Sequence, residues 1–240
     1  MKIYLSPSDQ IRNRYAYGDT NEAAQCRAIA KKCARALMRC GFEVKTDYTD
    51  GSDAMYERVQ QSNEWGADMH ICIHTNAGGG SGCVVFAGAL DERHMKYAKP
   101  IFEELDDITI YRSVYGVRTA AFYEIRKTNA VCVYCECEFH DNAQTAKWIT
   151  ENTRTIAEAI CRGVCRAAGR EYIKEDDDDM ERWNTLSEMP EVYRAMAKRF
   201  IDAGALRGKD GRLDLSEDMI RCMEIMRRYF EEGKGNGSSR

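Results

Sequence analysis

The sequence predicts an α/β protein: a mixed, mainly parallel sheet flanked by helices on both faces, followed by a small all-α module. Three observations predict it. From residue 1 to about residue 170, strand-like and helix-like patterns alternate. One apolar strand, ending Ile71-Cys72-Ile73-His74-Thr75-Asn76-Ala77, runs into Gly78-Gly79-Gly80, which leaves an imidazole open at a strand end. A run of five acids, Glu175 to Asp179, then breaks the composition, and the chain beyond it reads as helical.

Lys2 to Leu5 forms the first strand. Asn21 to Arg39 forms a long helix with apolar or small residues at Ala24, Ile29, Ala30, Cys33, Ala36 and Leu37, and Cys40-Gly41 stops it. Phe42 to Thr46 is the next strand, Asp53 to Trp65 a helix, and Met69 to His74 a strand. Cys83 to Ala87 is a strand and Asp91 to Glu104 a helix. Phe122 to Ile125 and Val131 to Glu136 are the remaining strand candidates, and Thr145 to Ala168 is a helix. The predicted domain therefore spans residues 1–170, with an acidic linker over 171–180. Residues 181–232 form the helical module, with helices at Pro190 to Ala203 and Ser216 to Phe230, the second started by Ser216. The tail 233–240, rich in glycine and serine, is expected to be disordered.

Composition narrows the function classes. A chain of 240 residues buries a real core, and a formal charge of −4 lacks the basic footprint of nucleic-acid binding. No stretch is apolar for long enough to span a membrane. The N-terminal segment lacks a signal-peptide apolar region, so synthesis in the cytosol is expected, with action outside requiring release or a holin-type route. The eleven cysteines are odd in number, and most sit inside predicted helices and strands, as buried free thiols do. Cys135 and Cys137 share one strand face and Cys132 the other, so these three do not converge on one ion.

The chemistry concentrates at strand and helix ends. His74 ends one strand, Glu22 opens a helix after Gly18-Asp19-Thr20-Asn21, and Glu136 and Glu138 end an otherwise apolar strand. A histidine and two carboxylates so placed are what a hydrolytic zinc site needs. Burial after Val131-Cys132-Val133-Tyr134-Cys135 raises the pKa of such a carboxyl group toward that of a general base. For each residue there is a plainer alternative. A lone histidine usually makes structural hydrogen bonds, an acid at a helix start answers the helix dipole, and acids at a strand end are often only polar termini. His70 lies about 13 Å along the strand from His74 at roughly 3.3 Å per residue, and is read as structural.

Residues 1 to about 168 resemble the zinc-dependent N-acetylmuramoyl-L-alanine amidases of bacterial autolysins and phage endolysins. The matching segments are Asn21-Glu22, Ile71 to Ala77, Tyr134-Cys135-Glu136-Cys137-Glu138-Phe139-His140-Asp141-Asn142, and Ser62 to Asp68. The resemblance implies Glu22 and His74 as zinc ligands, Glu136 as general base with Glu138 supporting it, and Asn76, Gly78 and Gly79 lining a groove for peptidoglycan. It also exposes a departure. Where the family places its first histidine ligand, in Asp-Pro-Gly-His, this chain reads Ser6-Pro7-Ser8-Asp9-Gln10, leaving Asp9 or Gln10 as the third ligand. Residues 182–191, 201–208 and 213–219 resemble a short module of wall-associated proteins, implying wall attachment or self-association. The expectation is a metal-dependent peptidoglycan amidase. The rivals are a non-catalytic wall-binding protein on a degenerate amidase fold, and a metallopeptidase acting on the stem peptide.

Overall fold

The structure, a computed structural model, describes residues 1–49, 54–174, 182–209 and 211–235. The chain divides into two compact units, Met1–Lys174 and Glu175–Arg240.

In the first unit six strands form one sheet in the order β2-β1-β3-β6-β4-β5. They are β1 (Lys2–Pro7), β2 (Glu43–Thr46), β3 (Met69–Asn76), β4 (Val84–Ala87), β5 (Val117–Thr119) and β6 (Val131–Phe139). β1 pairs parallel with β2 and β3, β3 parallel with β6, and β4 parallel with β5; only the β4–β6 pair is antiparallel. The sheet is mixed and mainly parallel, as the alternating pattern predicts. The helices are α1 (Glu22–Arg39), α2 (Ala54–Trp65), α3 (Glu92–Ile108), α4 (Tyr123–Lys127), α5 (Ala143–Glu151) and α6 (Thr153–Ala168).

Strand alternation sorts the core into two faces. Ile3, Leu5, Ile71, Ile73, Val133 and Cys135 pack into the large cluster with α1, α3 and α6. The residues between them point the other way, where Cys72, Cys132, Tyr134 and the α4 residue Ile125 form a smaller cluster. This confirms that Cys132 faces away from Cys135 and Cys137. Each position in the first cluster is essentially removed from water. At about 25 cal/mol per Å² of apolar surface, a fully buried Ile or Leu contributes on the order of 2 kcal/mol.

Three local readings are corrected. Phe122 to Ile125 is not a strand: α4 occupies Tyr123–Lys127, because four alternating residues are too few to separate a strand from a helical turn. β5 was not predicted, since three partly solvated residues carry no pattern. The helix predicted over 145–168 is two helices. Asn152 caps the end of α5 and the start of α6, and its Nδ2 donates to the Trp148 carbonyl at 2.8 Å, competing with helix continuation.

The second unit is built from β7 (Arg182–Trp183) and β8 (Leu215–Ser216), an antiparallel pair, with α7 (Glu191–Asp202) and α8 (Glu217–Gly235). Trp183, Met189, Ala197, Leu215 and Ile220 form its core. Ser216 Oγ accepts from Met219 N–H at 3.3 Å, the cap expected at this helix start. The short β7–β8 pair makes the module not purely helical. α8 continues into the segment read as a tail. The acidic run Glu175 to Asp179 and residues 236–240 lie outside the described residues.

Candidate active site

The site forms at the ends of the two central strands. β3 and β6 run side by side, and their register sets His74 opposite Glu136. α1 begins nearby. Asn21 caps it by accepting from Ala24 N–H, which fixes Glu22 in the first turn.

Glu22 and His74 are in direct contact: Glu22 Oε1 lies 2.8 Å from His74 Nδ1. Both are buried. Asn13 Nδ2 donates to the second oxygen, Glu22 Oε2, at 2.7 Å. Burial favours the neutral acid, but bonds from His74, Asn13 and Ser8 outweigh it and hold Glu22 below its ordinary pKa. Burial also works against the imidazolium of His74, yet Glu22, Glu136 and Glu124 outweigh that and raise its pKa. The ring stacks on Tyr134 with centroids 4.4 Å apart.

Glu136 is partly open to solvent as a residue, but its Oε2 is buried and has no hydrogen-bond partner. Burial pushes its pKa up to about 7; His74 opposes the rise and Glu22 adds to it. A base poised near neutrality is the property general-base catalysis requires.

Glu138 is elsewhere. The β3–β6 register shifts between His74 and Asn76, so β6 carries an extra residue there. Glu138 Oε1 accepts from Gly82 N–H at 2.6 Å and from Phe139 N–H at 3.0 Å. Burial raises its pKa against the opposing pull of those two backbone bonds. Glu138 therefore anchors the loop before β4 and does not support Glu136, correcting the expectation from even strand spacing.

The glycine loop is likewise pinned. Asp141 Oδ2 accepts from Gly78 N–H at 2.6 Å and Gly79 N–H at 2.8 Å, and Asn76 Oδ1 accepts from Ala77 N–H at 2.8 Å. Gly78 and Gly79 have positive φ, at 121° and 75°, which accounts for glycine at both positions. Their amides serve the loop and are not free to donate to a ligand.

Asp9 and Gln10 line the same cleft as His74, a volume of about 300 Å³. Asp9 Oδ2 accepts from Met55 N–H at 3.2 Å, at the start of α2. Gln10 Oε1 accepts from Asn13 Nδ2 at 2.7 Å, the same amide that holds Glu22. Gln10 is thus tied to the Glu22–His74 pair through one intermediate, and Asp9 is tied to a different helix.

A residue missed in the sequence completes the wall. Glu124 on α4 is buried, and one of its oxygens lies 3.9 Å from His74 Nε2. The other accepts from Ser6 Oγ and lies 3.3 Å from His70 Nε2. Burial favours its neutral form, but His70, His74 and Ser6 outweigh this and hold its pKa below the ordinary value. His70 also stacks on Tyr4, 5.4 Å between centroids. Its structural reading agrees with these contacts. The signal for Glu124 was an acid inside an apolar run, obscured by taking that run as a strand.

The donor set bears on the metal that the resemblance implies. Glu22 and His74, an oxygen and a nitrogen in contact, fit as a pair of ligands to a divalent ion, and the unpartnered Glu136 Oε2 fits a site that orders a further group. Among the described residues no third His, Cys, Asp or Glu brings a ligand atom within 4.8 Å of both. Asp9 lines the cleft but does not close a three-ligand set with Glu22 and His74: its Oδ2 accepts from the α2 backbone at Met55 instead.

Fold and site together define an α/β protein with a mixed, mainly parallel sheet, whose central strand ends carry an acid–imidazole pair and a carboxylate with one buried oxygen. Residues 10–166 match the family described as N-acetylmuramoyl-L-alanine amidase (Amidase_3). The chain belongs to that family. It is 29% identical over 123 residues to the N-acetylmuramoyl-L-alanine amidase CwlM of Bacillus licheniformis, a match covering 50% of this chain and 48% of that protein. The chain thus spans about half the length of this curated relative. Among solved structures it shares its fold with the N-acetylmuramoyl-L-alanine amidase of Clostridium difficile 630, with a TM-score of 0.63, 20% identity, and coverage of 70% of this chain and 96% of that one. The catalytic domain of the CD27L endolysin targeting Clostridia difficile gives a TM-score of 0.57 at 22% identity, covering 68% and 96%.

Proposed function

We propose that this chain is a peptidoglycan hydrolase that cleaves the amide between N-acetylmuramic acid and L-alanine. The observation that carries the reading is Glu136: a carboxylate with a buried, unpartnered oxygen and a pKa near neutrality, set opposite His74 in the strand register. Glu22 and His74 would hold one zinc ion. When bound, such an ion acidifies a water and polarises a carbonyl. Glu136 takes the proton from the attacking water and returns it to the leaving amine. Tyr134 stacks on the His74 imidazole and supports its face, and Asn13 holds the second oxygen of Glu22. The pinned loop from Asn76 to Gly80 forms a wall of fixed shape for the stem peptide and glycan.

Attachment to the wall, or pairing of two chains, is the role we assign to the second unit, and lysis of a bacterial host from within is the setting we assign to the whole. One observation favours a second reading, a wall-binding protein without turnover: the first-histidine position is occupied by an aspartate bonded elsewhere. Dye release from purified walls, with and without chelator, separates the two. Mass spectrometry of the released ends separates the amidase from a stem-peptide peptidase: new L-alanine amino termini with intact glycan ends support the proposal, and cleavage within the peptide refutes it.

A further inference from the structure

The first unit holds a second cluster of ligand-type side chains far from the cleft. Cys40 caps the C-terminal end of α1, and Cys161 and Cys165 lie one turn apart on α6. α1 is 18 residues long, which at 1.5 Å per residue puts Cys40 about 27 Å from the Glu22 end of the helix. The three sulfurs lie within 4.8 Å of one another, and all three residues are buried.

Three observations set this cluster apart from thiols that merely fill a core. First, Cys40 Sγ is 3.7 Å from Cys161 Sγ. Two thiolates bound to one tetrahedral ion at about 2.3 Å stand about 3.8 Å apart, so the spacing needs almost no adjustment. Second, Ile173 N–H donates to Cys40 Sγ at 3.3 Å, a backbone bond of the kind that supports a negatively charged sulfur. Third, a cation is anchored beside the cluster: Arg170 Nη1 donates to the Cys40 carbonyl at 3.3 Å and to the Gly41 carbonyl at 2.5 Å.

We propose that Cys40, Cys161 and Cys165 form a thiolate site for one Zn²⁺, tying the end of α1 to α6 and to the segment that follows it. Soft thiolates select such an ion over the oxygen-preferring cations. Three thiolates around a doubly charged ion leave one negative charge, which Arg170, held beside Cys40, offsets. Binding would release to solvent the protons of whichever thiols are still protonated. The proposal is independent of the amidase reading, since none of these residues belongs to the cleft.

The test uses the full chain, reduced and stripped of metal, titrated with Co²⁺ as a spectroscopic stand-in for zinc. A near-ultraviolet sulfur-to-cobalt charge-transfer band that saturates at one ion per chain is expected. It should survive His74→Ala and be lost in Cys161→Ser and Cys165→Ser. Zinc should displace the cobalt and raise the thermal midpoint of the wild type but not of Cys165→Ser. Should those variants fail to fold by circular dichroism, Cys40→Ser, at the helix end, serves in their place. A wild type with no charge-transfer band at saturating cobalt overturns the proposal. So does a band that persists in all three serine variants, or a mass two hydrogens low that shows a Cys40–Cys161 disulfide in the reduced preparation.

Discussion

Replacing Glu136 with glutamine tests the core of the proposed chemistry through two independent readouts. The first is rate. Glutamine keeps the shape but cannot accept a proton, so turnover of soluble muropeptide should fall by roughly 10²–10⁴-fold, the range for removing a general base. The second is stability against pH. Glu136 rises from an ordinary 4.5 to about 7 in the fold, chiefly through burial. The folded chain therefore binds this proton more tightly than the unfolded chain does. The stabilisation is full below about pH 4.5 and is lost as pH rises through 7. A shift of that size corresponds to at most about 3 kcal/mol at 1.36 kcal/mol per unit, and less because the residue is partly solvated. Urea unfolding of the metal-free proteins followed by circular dichroism, between pH 4.5 and 8, reads it directly. The wild type should lose on the order of 1–3 kcal/mol relative to Glu136→Gln across that range. If the two stabilities run parallel, Glu136 is not the displaced carboxyl. If the glutamine variant turns over within a few-fold of wild type, Glu136 is not the base, whatever its pKa.

Further tests fall on the neighbouring residues. His74→Ala should abolish cleft metal binding and activity together; a variant that lyses walls normally would exclude His74 from the site. Gln10→Ala should weaken cleft metal uptake more than Asp9→Ala, since Gln10 shares Asn13 with Glu22 while Asp9 is bonded to Met55 N–H; isothermal titration of both variants decides, and the reverse order would show that Asp9 turns toward the ion. Glu138→Gln should leave the pH profile unchanged and cost about 1–3 kcal/mol in thermal or urea unfolding, the cost of disturbing a buried, charge-assisted pair of backbone bonds; a shifted pH profile would return Glu138 to the chemistry. A chain ending at Lys174 should fold and cleave soluble muropeptide but lyse intact walls poorly. Normal lysis of intact walls by that shorter chain would remove wall attachment from the second unit.

How much of this was legible in the residues depended on the length of each signal. The strand ending in His74 and the helix opening at Glu22 carried long, regular patterns, and both lie where the sequence placed them, in contact at 2.8 Å. Glu136 was readable for the same reason: five apolar residues precede it. Glu138 was misplaced because strand spacing assumes a regular ladder, and the extra residue in β6 is invisible to period counting. Glu124 was missed because a one-turn helix and a short strand look alike over four residues. Asp9 was placed by alignment with a histidine, but its carboxylate is set by the α2 backbone, a partner 46 positions away in sequence. The ten cysteines of the first unit were read correctly as buried and free, while Cys222 is exposed; the convergence of three of the ten depends on how α1 meets α6, which no local pattern encodes.

The pairing of β3 with β6 carries a wider consequence. His74 and Glu136 are cross-strand neighbours in the middle of a six-stranded sheet, each flanked by a further strand. Their separation is set by the main-chain ladder, the least compliant part of the molecule. Wear at the margins, in β2 or β5, would shorten the lifetime of the fold without moving the proposed reacting groups. Robustness and the proposed chemistry are thereby assigned to different parts of the same sheet, so this chain can drift at its edges while the His74–Glu136 register stays in place.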